Sequence, residues 1–161
     1  MKSRGLGKMP RQVRKTARGM LTVCMGMPAS GKSVWARANA NGALVVCADA
    51  MRTCGVSAQA LFGKMRRDAQ MALLGGEDVI VDACSLQWRD REPWLAIARR
   101  LDASTRLVVF DVSAEVCRAR DLRRAQPAGR IDLYAARMIE SLHRIEREGW
   151  GSIEHVRDVG G

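Results

Sequence analysis

Residues 26–33 read Gly-Met-Pro-Ala-Ser-Gly-Lys-Ser, a complete match to the pattern G-x-x-x-x-G-K-[ST]. The flanks are of the kind the pattern requires. Leu21–Met25 is a short apolar run of strand type, and Ser33–Ala38 opens a helix-compatible stretch. Strand, Gly-rich loop and helix in that order turn successive backbone N–H groups inward around the phosphates of a nucleotide. By chance alone the octapeptide would occur on the order of once in 100 chains of this length. Gly26 and Gly31 suit tight turns and close backbone approach, with Ala29 and Ser30 between them. The Lys32 ammonium is placed to reach the β- and γ-phosphates, and the Ser33 hydroxyl to ligate Mg²⁺.

The rest of the chain fits a fold around such a loop. Further strand-like runs are expected at 43–48, 78–83, 106–112 and, more weakly, 153–159. Helical stretches follow at 33–41, 57–74, 89–101 and 114–124, with Ser57 and Ser113 as N-caps, and a last helix at 132–148. Leu133, Ala136, Ile139, Leu142 and Ile145 are expected to form the buried face of that last helix. Alternating strands and helices imply an α/β fold of the P-loop NTPase type. A parallel sheet of about five strands would carry helices on both faces.

The chain of 161 residues is 47% hydrophobic, enough for a core in one domain. No apolar run has the length of a membrane span, and no secretory signal is expected. Cys24, Cys47, Cys54, Cys84 and Cys117 are scattered and odd in number, without a C-x-x-C pair. This points to a reduced, cytosolic protein with no disulfide framework or structural zinc. Charge is uneven. Residues 1–20 hold seven basic residues and no acidic one, against a net charge of +10 for the chain. The expectation is a mobile basic arm over 1–20 and a P-loop domain over 21–161. The arm is either a solvated tail or a holder of a polyanion.

Three further clusters bear on chemistry. Asp82 ends the apolar run Val79–Val81, where a Walker B acid would hold Mg²⁺, or a plain turn-capping Asp would sit. Asp49 follows the run 45–48 and precedes Arg52 by three residues, so a helical turn would put both on one face. There the carboxylate can accept the proton of an attacking hydroxyl and the guanidinium can hold a phosphate. Alternatively they are a surface ion pair at a helix start. Arg118, Arg120, Arg123, Arg124 and Arg130 follow, broken by Gln126-Pro127-Ala128-Gly129. Arg120 and Arg124, four apart, are expected to share a helix face on a lid at about 118–131. Such a lid would stabilise charge on a transferring phosphoryl group.

Taken together, strand–GxPxSGKS with Trp35-Ala36, strand–Asp49-x-x-Arg52, strand–Asp82, Arg120-x-x-x-Arg124 and Arg137-Met138 resemble the kinase domain of bacteriophage-type polynucleotide 5′-hydroxyl kinases. The resemblance covers about residues 21–145. It implies ATP and Mg²⁺ as cofactors, held by Lys32 and Ser33, with Asp49 as general base on the 5′-hydroxyl. It also implies Arg52 at the acceptor, Arg120 and Arg124 over the ATP phosphates, and nucleic acid 5′ ends as substrates, as in nucleic acid repair. The usual Asp-Thr-Asn or Asp-Ala-Thr-Asn is replaced by Asp82-Ala83-Cys84-Ser85. An Asn common after the first lid arginine is Asp121, and a proline after the lid is Ile131. No phosphatase module is expected. Two other functions stay open: a small-molecule kinase acting on a nucleoside, sugar or antibiotic, and a nucleotide-dependent binding module or assembly ATPase.

Overall fold

A computed structural model of the chain describes residues 18–52 and 55–157, with the Arg52 side chain excepted. Cys54, most of the basic arm and the Arg52 side chain therefore lie outside the described residues. The chain runs β1 (Met20–Met25), α1 (Lys32–Ala38), β2 (Leu44–Cys47), α2 (Ala48–Arg52), α3 (Ala58–Leu74), β3 (Val79–Asp82), α4 (Trp88–Leu101), β4 (Ser104–Phe110), α5 (Ala114–Asp121) and α6 (Ile131–Leu142). A 3₁₀ turn at Ile145–Arg147 leads to β5 (Ser152–Val156). The five strands form one sheet in the order β2-β3-β1-β4-β5, and every neighbouring pair is parallel. This is the expected parallel five-stranded α/β fold of the P-loop NTPase type.

Side-chain alternation along the strands sorts the core into two layers. Leu21, Val23 and Met25 of β1, with Val79 and Val81 of β3 and Leu107 and Val109 of β4, pack beneath Leu61, Met65 and Leu73 of α3 and Trp94 of α4. The opposite face sets Cys24, Ile80, Val108 and Phe110 against Ala36 and Trp35 of α1. Helices therefore cover both faces. The chain leaves β1 for β2 on one side of the sheet and later returns through β4 on the other. A ligand crevice forms outside the carboxyl ends of strands at such a reversal.

Local signals hold at the helix starts. Ser57 Oγ accepts from Ala60 N at 3.2 Å and Ser113 Oγ from Val116 N at 3.3 Å, satisfying N–H groups that the helix leaves unpaired. Two expectations are corrected. The last helix stops at Leu142, and Leu133, Ala136 and Ile139 face solvent; Ile139 is 62% exposed. The inward face is Ile131, Met138, Ser141 and the following Ile145, flanked by Tyr134 and Leu142. A strict step of three falls short of the 3.6-residue turn and rotates off a single face, whereas 131, 138 and 145 repeat every seven. The second correction is that α5 ends at Asp121, so Arg124 sits in the following turn and does not share a helix face with Arg120. No helix among the described residues is long and apolar enough to cross a membrane.

Candidate phosphotransfer site

The loop from β1 to α1 is tightly fixed. Gly26 N donates to Cys84 O at 3.0 Å, tying the loop to the exit of β3, and Ser30 N donates to Met27 O at 3.2 Å. A Cβ on Gly26 would lie 2.8 Å from both Phe110 Cβ and Ser30 Oγ, so no side chain fits. Ala29 (φ 61°) and Gly31 (φ 94°) are left-handed and curl the loop into a concavity for an anion. Lys32, the first residue of α1, is buried; its Nζ donates to Met27 O at 2.7 Å and Ser30 Oγ at 3.4 Å. The ammonium is thus folded over its own loop, held among the described residues by two neutral acceptors.

Asp82 closes β3 at 5% exposure, in register with Cys47 of β2. Burial, then a hydrogen bond to the Asp82 carboxylate, raise the Cys47 thiol above its ordinary range, partly offset by backbone N–H groups. Cys24, beneath the loop, is pushed up to about 12, first by burial and then by the charge of Asp82. Cys24 packs in the core layer under α1. Ser33 and Asp82 line one cleft and supply a hydroxyl and a carboxylate oxygen. That donor set suits Mg²⁺, which takes few protein ligands and completes its shell with phosphate and water.

Asp49 enters from β2 as the second residue of α2. Its Oδ2 lies 3.5 Å from Arg124 Nη2, and Arg124 Nη1 lies 3.2 Å from Asp121 Oδ1. Asp121 is buried and organises the turn after α5, accepting from Ala128 N and Gly129 N, each at 2.9 Å. Burial pushes its carboxyl up, but these two N–H groups and Arg124 outweigh that and hold it below the ordinary carboxylate range. Arg118 pairs instead with Asp132, on the outside.

These groups meet in a cleft of about 1170 Å³ lined by Lys32, Ser33, Asp49, Asp82, Arg120 and Arg124, with Ala29 and Gly31 of the loop. Of the residues expected from the sequence, the Arg52 side chain alone lies outside the described residues; Gly26 and Ser30 shape the loop from within. Further lining residues were not anticipated: Gln59, Phe62 and Arg66 of α3, Arg89 and Trp94 of α4, and Ser85. The spacing of Phe62 and Arg66, one turn apart, was the available signal. Ser85 is left-handed at φ 47°, and its carbonyl accepts from Arg91 Nη1 at 2.8 Å. Arg91, fully buried, forks onto Glu148 at 2.9 and 2.5 Å.

Comparison with known proteins places the chain in a family. A family described as an AAA domain matches residues 21–147. No curated protein matches the sequence. Among solved structures, a chain of the Pnkp1/Rnl/Hen1 RNA repair complex superposes with a TM-score of 0.70 at 18% identity. The match covers 84% of this chain and 49% of that one, so this chain spans about half its length. The Mycobacterium tuberculosis APS kinase CysC, solved with AMPPNP and APS, gives a TM-score of 0.57 at 19% identity over 79% of this chain and 99% of that one. A sugar kinase from Janibacter sp. HTCC2649 gives 0.55 at 19% identity, covering 74% and 78%. At these identities the similarity is one of fold.

Proposed function

This chain belongs to the AAA domain family, and on that premise we propose that it is an ATP-dependent phosphotransferase acting on the 5′-hydroxyl end of DNA or RNA. The observation that carries the reading is the position of Asp49. It lines the cleft that holds Lys32, on the sheet edge where ligands bind, and an exposed carboxylate there can accept a proton.

In the proposed reaction, Lys32 turns its ammonium from Met27 O to the β- and γ-phosphates of ATP. The concave loop 26–33 donates backbone N–H groups to the same phosphates. Ser33 and Asp82 would hold Mg²⁺, which would draw negative charge from the phosphate oxygens. The acceptor oxygen forms a bond to the γ-phosphorus, the bond from that phosphorus to the ADP oxygen breaks, and the hydroxyl proton passes to Asp49. Arg52 meets the acceptor end. The segment 118–131 acts as a lid, with Arg120 and Arg124 over the transferring group. A nucleic acid acceptor is supported by the seven basic residues of 1–20, by the resemblance to polynucleotide kinases, and by the fold shared with a chain of an RNA repair complex. The free Cys24, Cys47, Cys84 and Cys117 suit a reducing cytosol.

A second reading, a small-molecule kinase, draws on the fold shared with APS and sugar kinases. Transfer of labelled γ-phosphate to 5′-hydroxyl oligonucleotides, nucleosides and sugars separates the two. Product on oligonucleotides supports the first, and product on small acceptors alone supports the second. Steady ATP hydrolysis with no acceptor product would favour an assembly ATPase.

A further inference from the structure

We infer that Arg66 and Phe62 of α3, with Ser85 in the same cleft, form an acceptor subsite for a second anionic group, a phosphate ester carried beside the reacting hydroxyl. The inference rests on the kinase reading above. Arg66 is half-buried and lines the cleft shared by Lys32 and Asp49, yet no protein group among the described residues bonds its guanidinium. Its cationic neighbours differ. Arg124 is held by Asp49 and Asp121, and Arg89 donates to Gln87 Oε1 at 2.8 Å. A guanidinium taken partly out of water without a partner is unfavourable, and the planar fork matches a phosphate.

Two further observations point to a ligand on this wall. Phe62 precedes Arg66 by one turn and also lines the cleft, so a ring of the acceptor can rest on its face while the anion meets Arg66. Ser85 is 5% exposed, and its Oγ is the one buried side-chain polar atom without a hydrogen-bond partner among the described residues. A buried orphan hydroxyl in a cleft wall has an unused donor and acceptor for a bound molecule. The Arg91–Glu148 pair fixes the Ser85 backbone through its carbonyl and so sets where that hydroxyl stands. The anion has two sources: the phosphodiester next to a 5′ end, or the ester of a phosphorylated small molecule.

The test is equilibrium binding to protein saturated with a non-hydrolysable ATP analogue, using adenosine, adenosine 3′-phosphate, glucose and glucose 6-phosphate. At least one phosphorylated probe should bind about ten- to a hundredfold more tightly than its uncharged counterpart. Arg66→Ala should remove that advantage, Arg66→Lys should recover part of it, and Lys64→Ala, on the exposed side of α3, should leave it intact. If neither phosphorylated probe outbinds its counterpart, or if the advantage survives in Arg66→Ala, the inference is overturned. Preference for adenosine 3′-phosphate agrees with a polynucleotide acceptor. Preference for glucose 6-phosphate would defeat that acceptor while leaving the role of Arg66 standing.

Discussion

Asp49 and Arg124, 75 residues apart in sequence, meet across the mouth of the cleft at 3.5 Å. Their side chains are 59% and 37% exposed, so the contact is long and well solvated and contributes little to stability. Its interest is chemical. The proposed base is paired with the cation that would neutralise the phosphoryl group, and a bound phosphate can draw Arg124 away from Asp49. Arg124→Ala also takes a partner from the buried Asp121 carboxylate, so it should cost about 1–3 kcal/mol of folding stability while lowering transfer about 10²- to 10³-fold. Urea unfolding and single-turnover transfer, measured side by side, check both halves.

Lys32 is expected to act on the donor alone. Lys32→Ala removes the cation from the loop and should lower transfer by at least about a hundredfold. ATP titration against wild type checks whether the loss includes donor binding.

Asp121 stabilises the turn that presents Arg124. Its folded pKa lies below its unfolded value, so its contribution is complete above the unfolded value near 3.8. The contribution declines as pH falls through the lower folded value. Asp121→Ala should therefore be less stable than wild type at neutral pH, with the gap closing in strong acid. It should also speed hydrogen exchange at the Ala128 and Gly129 amides. A gap that widens on acidification would contradict the assignment. The sequence singled out Asp121 only as a substitution for Asn. Its capping role depends on the chain turning back at 128–129, which no local pattern encodes.

The Arg91–Glu148 pair joins α4 to the segment before β5 deep in the protein, at 0% and 5% side-chain exposure. Arg91→Ala leaves Glu148 buried without its guanidinium, and a loss of about 3–5 kcal/mol follows. Denaturant midpoints measure it. Nothing in the sequence marks this pair, because its members lie 57 positions apart. By contrast the loop 26–33, the strand-end carboxylates and the caps Ser57 and Ser113 were legible, since each depends on neighbours in sequence. For Phe62 and Arg66 only the one-turn spacing was legible, because a helix face shows what it meets only after the sheet is assembled.

Deleting residues 1–18 removes seven positive charges. Use of polynucleotides should weaken more at about 50 mM salt than at about 200 mM, because each phosphate contact releases counterions. An apparent KM for oligonucleotide that is indifferent to both deletion and salt would exclude the arm from substrate capture.

The most direct measurement is phosphoryl transfer by Asp49→Asn, an isosteric change that removes the proton acceptor and keeps the shape. Transfer to a 5′-hydroxyl oligonucleotide should fall by about 10²- to 10⁴-fold, while ATP affinity, set by the loop 26–33, stays close to wild type. Transfer at the wild-type rate by Asp49→Asn would contradict the account.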